Sequence, residues 1–77
     1  MWEFYIRLHS FDQVQDFVRL ACQQNFDVTV GNDLQSINGK ELMGMFSLDY
    51  SRPIQVKMHC CEEEYLQFKQ AAEEFLA

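Results

Sequence analysis

The sequence lacks a long apolar run, and no stretch approaches the ~20 residues needed to span a bilayer. It also lacks a basic segment followed by an apolar one at its start, so no secretory signal is expected. Basic residues are scarce: six against twelve acidic ones, for a net charge of −6. A nucleic-acid binder displaces counterions with a basic surface, and this chain has none to spare. The same deficit argues against an anionic membrane surface. Three scattered glycines exclude a glycine-rich phosphate loop, and one proline leaves no proline-rich linker. Three cysteines, two of them adjacent at Cys60 and Cys61, are an odd number and not a disulfide framework. Reduced thiols in a cytoplasmic protein are the simple expectation.

What the chain has is apolar material. Hydrophobic residues make up 48% of 77 positions, with seven Phe, three Tyr and one Trp. A chain this short buries only ~60% of its unfolded surface. One core can therefore form, with little left for a deep pocket, and residues 1–77 are expected to make a single domain. No repeat and no low-complexity segment interrupts them.

Trp2, Phe4, Ile6 and Leu8 alternate with Glu3, Tyr5 and Arg7. Period-two alternation predicts a strand buried on one face. Ser10 then precedes Phe11, Val14, Phe17, Val18 and Ala21, whose spacing predicts a helix with an apolar stripe. Ser10 and Gln13 form a capping-box pair. Phe26, Val28 and Val30 predict a second strand, Gly31-Asn32-Asp33 a tight hairpin, and residues 34–37 a third strand. Asn38 and Glu41 read as another capping pair, opening a short helix through Leu42, Met43, Met45 and Phe46. Pro53 biases Arg52 toward extended geometry. Beyond it, Ile54, Val56, Met58 and Cys60 alternate with Gln55, Lys57 and His59 to predict a fourth strand. Glu62-Glu63-Glu64 suits the first turn of a last helix, whose stripe is Tyr65, Phe68, Ala72, Phe75 and Leu76.

The order is β-α-β-β-α-β-α. Each long strand keeps a polar second face, which predicts an α+β open-faced sandwich: an antiparallel sheet with helices on one side and water on the other. Leu8, Val14, Phe17, Val18, Val28, Val56 and Phe68 should be core. Tyr5, Lys57 and His59 should lie on the open sheet face.

No catalytic constellation is visible, so the chain does not read as an enzyme. His59-Cys60-Cys61 offers too few ligands for structural zinc, which takes four. No metal and no cofactor is expected.

The segment Lys40-Glu41-Leu42-Met43-Gly44-Met45-Phe46-Ser47-Leu48 closely resembles a signature of the histidine-containing phosphocarrier (HPr) family. That signature usually reads Lys-Ser-Ile/Leu-Met-Gly-x-Met-Ser-Leu-Gly. The resemblance implies an HPr-like fold and a relation to the phosphoenolpyruvate-dependent sugar phosphotransferase system. It also implies a protein partner such as enzyme I, a sugar-specific enzyme II domain or a catabolite-control repressor. The short helix would then be a docking patch, with Lys40, Met43, Met45 and Phe46 as partner-binding residues. Asp49 stands where the family usually has Gly, which suggests a left-handed turn.

Two departures bear on the chemistry. The family's active loop reads His-Ala-Arg-Pro-Ala, and the matching stretch here is Ser10-Phe11-Asp12-Gln13-Val14. Ser10 falls at the phospho-accepting histidine and Asp12 at the arginine that steadies the phosphate. His9 lies one residue early. His9 and Ser10 are thus weak phosphoacceptor candidates, and the resemblance is to a degenerate member that does not relay phosphate. Glu41 takes the position of the family's regulatory serine. It serves either as the capping residue of the Asn38 pair or as an imperfect phosphoserine mimic, with one charge against roughly 1.5 to 2. The alternatives to a regulatory or protein-binding module are a ferredoxin-like small-molecule-sensing domain and a phosphocarrier using His9.

Overall fold

The computed structural model describes all of residues 1–77. Its elements are β1 (Trp2–Ile6), α1 (Phe11–Cys22), β2 (Val28–Gly31), β3 (Ser36–Asn38), α2 (Leu42–Met45), β4 (Ile54–Met58) and α3 (Glu62–Ala71). A 3-10 turn, Glu73–Phe75, follows α3. The strands form one antiparallel sheet in the order β1-β4-β2-β3.

Register explains why one face is buried. Phe4 lies opposite Val56, Val56 opposite Val30, and Val30 opposite Ile37, so one row across the sheet is wholly apolar. The neighbouring row runs Glu3, Lys57, Thr29, Asn38 and points the other way. Phe4, Ile6, Leu8, Val28, Val30, Ile54, Val56 and Met58 meet Val14, Phe17, Val18, Ala21, Phe68, Ala72 and Phe75 in a single core. Each such large side chain contributes roughly 1.5–3 kcal/mol on burial. The seven residues expected in the core are all buried, and Tyr5, Lys57 and His59 are all exposed.

The ends of the elements are satisfied locally. Ser10 is extended and its hydroxyl accepts the Gln13 N–H at 3.2 Å, while Gln13 Oε1 accepts the His9 N–H at 2.6 Å. At the other end of α1, Lys40 Nζ donates to the Gln24 carbonyl at 3.0 Å. Trp2 stacks on Tyr65 at 4.7 Å and donates its indole N–H to the Cys60 carbonyl, which holds α3 on β1. The outer edge of β1 is covered by the C-terminus. Arg7 donates to Phe75 O and Ala77 donates to Tyr5 O, so those edge groups are paired.

Several boundaries differ from the sequence expectation. β3 is shifted from residues 34–37 to Ser36–Asn38. Asn32 Oδ1 accepts both Leu34 N–H and Gln35 N–H, which makes residues 32–35 a four-residue turn and leaves Leu34 96% exposed. Asn38 is not a helix cap. The Gly39 N–H still donates to Val28 O in the sheet, so the chain cannot start helix there, and Asn38 instead accepts the Lys40 N–H. α2 begins only after Glu41, which is its N-cap by position and makes no side-chain capping bond. The capping role expected for Glu41 is therefore overturned. β4 ends at Met58, leaving Cys60 half-buried beside the core. Asp49 is not in a left-handed conformation, because no residue has positive φ; its carboxylate accepts the Ser51 N–H at 2.9 Å.

Candidate protein-binding site

β1 delivers Leu8 to the core and releases the chain at His9 and Ser10, both exposed. α1 starts at once, so its first turn stands beside the single turn of α2. An open cleft of about 470 Å³ lies between them. Leu8 and Val14 form its floor, His9 and Ser10 one rim, Phe11 and Phe46 the walls, and Tyr50 the far end.

The walls are braced against each other. Phe11 and Phe46 meet edge to face, with centroids 5.1 Å apart and planes at 89°. Such aromatic pairs contribute about 0.5–1.5 kcal/mol beyond the area they bury. Phe11 nevertheless remains 71% exposed, and Met43 on α2 is 81% exposed. Tyr50 donates its hydroxyl to the Met45 carbonyl, tying the loop after α2 back to the helix. Burial pushes the Tyr50 phenol up to about 12, so it stays protonated at neutral pH. Beside it, the Ser51 backbone and side chain, with Arg52, hold the Asp49 carboxyl below its usual range.

The four residues expected to form a docking patch separate into three environments. Met43 and Phe46 reach solvent. Met45 is completely buried and cannot touch a partner in this conformation. Lys40 is half-buried, and its ammonium is occupied at the end of α1. A helix this short is expected to leave its patch only partly exposed, and the structure shows which side chains those are: α2 is one turn long, Met45 covers the core, and Met43 and Phe46 are left at the surface.

Its spacing predicts Phe11 on the buried stripe of α1, but the side chain lies at the surface against Phe46. No periodicity could have revealed Tyr50, whose place depends on how the loop after α2 returns to β4.

Chemically, the rim is poor in anion-binding groups. The Ser10 hydroxyl is engaged by the Gln13 N–H, Asp12 is exposed beside it, and no Lys or Arg lines the cleft. Elsewhere, Cys60 has its thiol pushed up, first by burial and then by Glu64. No three His, Cys, Asp or Glu side chains converge to hold a metal. No helix is long and apolar enough to cross a membrane.

The chain matches no protein-family model, and no curated protein resembles it significantly in sequence. Solved structures do resemble it in fold. HPr-C-His from Thermoanaerobacter tengcongensis is 25% identical, with a TM-score of 0.75 over 96% of this chain and 92% of that one. The phosphocarrier protein HPr from Bacillus anthracis is 18% identical, with a TM-score of 0.71 over 99% and 94%. The Bacillus subtilis catabolite repression protein Crh, described as a swapped dimer, is 23% identical, with a TM-score of 0.65 over 96% and 88%. The chain has the HPr-like open-faced sandwich fold.

Proposed function

We propose that this chain is an HPr-like protein-binding module, related to the sugar phosphotransferase system, that does not itself carry phosphate. The observation that carries this reading is the mouth of the cleft. A phosphohistidine there needs cationic hydrogen-bond donors to hold the phosphoryl group. At that place stand a Ser10 hydroxyl committed to capping and an exposed Asp12, with no Lys or Arg along the lining. An acid so placed repels a phosphoryl group. The superposition on HPr chains over 96% of the residues, terminal helix included, supports this reading over a ferredoxin-like sensing domain.

The retained face is apolar. Met43, Phe46 and Phe11 leave a cluster of large side chains in solvent, and such clusters on small proteins mark partner sites. The partner classes remain those implied by the resemblance: enzyme I, an enzyme II domain or a catabolite-control repressor, met in the cytoplasm. Glu41 keeps its carboxylate free of any capping bond, which supports a fixed negative charge where the family has a regulatory serine.

A transfer assay tests the reading. With phosphoenolpyruvate, enzyme I and a Bacillus HPr as positive control, the control acquires acid-labile label and this protein does not. Label that appears on this protein and vanishes in His9→Ala would replace the reading with a phosphocarrier using His9.

A further inference from the structure

We infer that the Phe11–Met43–Phe46 face docks a basic amphipathic segment of its partner, an apolar anchor flanked by Lys or Arg. This rests on the reading of that face as the docking surface, and adds the chemistry of what docks there.

Charge at the face is one-sided. The segments that carry Phe11, Met43 and Phe46, residues 9–12 and 41–46, contain Asp12 and Glu41 and no Lys or Arg. The nearest cation in sequence, Lys40, is turned away and bonded to the Gln24 carbonyl at 3.0 Å. The one ion pair in the chain joins Arg19 to Asp16 at 3.3 Å, so Asp12 and Glu41 have no ion-pair partner. Carboxylates around an apolar centre give an interface rim that attracts cations and repels acids.

The aromatic pair supplies the centre. Phe11 and Phe46 are held edge to face, so little side-chain freedom is lost when they are covered. The cleft behind them has an apolar floor at Leu8 and Val14 and accepts an aliphatic anchor. A second copy of this chain is a poor occupant of the face through two-fold pairing. A two-fold contact uses the same patch on both copies, so the Asp12 and Glu41 carboxylates of one copy would meet an equally acidic rim with no Lys or Arg to pair them.

The test uses NMR titration of the isotope-labelled full chain with three synthetic peptides. One is an amphipathic helix of Leu and Lys. The second has the same Leu positions with Glu for Lys, and the third is a scrambled Leu/Lys peptide with no apolar face. The amphipathic Lys peptide should shift Phe11, Met43 and Phe46 resonances and bind at least tenfold tighter than either other peptide. In Asp12→Lys/Glu41→Lys the order of the Lys and Glu peptides should reverse. Asp12→Asn/Glu41→Gln serves if that variant loses its dispersed spectrum, and should weaken the Lys peptide several-fold. Equal or tighter binding of the Glu peptide at this face overturns the inference but leaves the docking surface standing. Equal binding of the scrambled peptide shows that charge alone attracts, and overturns it too. Shifts centred on Tyr5 and Lys57, or concentration-dependent shifts without peptide, overturn the docking surface itself.

Discussion

Lys40 Nζ sits 3.0 Å from the carbonyl oxygen of Gln24, joining the approach to α2 to the end of α1. A cation just past a helix C-terminus meets the negative end of the dipole, and its bond to a carbonyl is charge-assisted. Lys40 therefore holds two elements together, although the resemblance singles it out for partner contact. Lys40→Met keeps the apolar stem and removes the charge. The expected loss is about 1 kcal/mol, read by urea denaturation. An unchanged midpoint with weakened partner binding would return Lys40 to the docking surface.

Phe17 and Phe11 lie on one helix with opposite surroundings. Phe17 is wholly buried and packs against the rings of Phe68 and Phe75. Phe17→Ala should lower stability by ~3–5 kcal/mol. Phe11→Ala should change it by less than about 1 kcal/mol, as at other exposed positions. A large loss at Phe11 would mean that its edge-to-face contact with Phe46 is structural before it is functional.

Ser10 tests the capping geometry. Ser10→Ala removes the acceptor for the Gln13 N–H and should destabilise by roughly 0.5–2 kcal/mol. Ser10→Asp keeps an acceptor and should recover most of that loss. If Ser10→Ala is silent in thermal melts, the Gln13 bond to His9 alone suffices to start the helix.

Tyr50 gives the stability an alkaline limb. Its folded-state value of about 12 lies above the ~10 of an unfolded chain. The unfolded state releases its proton first, so between those values the folded state binds more protons and stability falls as pH rises. The contribution is intact below about pH 10. Tyr50→Phe should flatten this limb and, at neutral pH, lose about 1 kcal/mol with the hydrogen bond to Met45. Denaturation midpoints across pH 9–12 in both proteins measure it; parallel curves would remove Tyr50 as the source.

Much of the fold was legible because one-sided burial writes period two on a strand. Trp2 to Leu8 and Ile54 to Met58 alternate, and the register sends each apolar set to the helices. The helical stripe of α1 named Val14, Phe17 and Val18 for the same reason, and Ser10 with Gln13 marked where it begins. The β2–β3 turn was less legible. Its length is decided by which N–H groups the Asn32 side chain accepts, and composition alone does not say.

The candidate site divides along the same line. Sequence by itself determined the open-faced layering, the acidic balance, and the presence of Ser10 and Asp12, with no Arg, at the start of α1. These are matters of residue identity and of a period repeated often enough to define a face. Tertiary structure alone decided that Met45 faces inward while Met43 faces water, that Lys40 is spent on α1, and that Phe11 leaves its stripe to meet Phe46. The reason is that α2 is only four residues long. One turn repeats no period, so which of its side chains is buried depends on the elements packed around it.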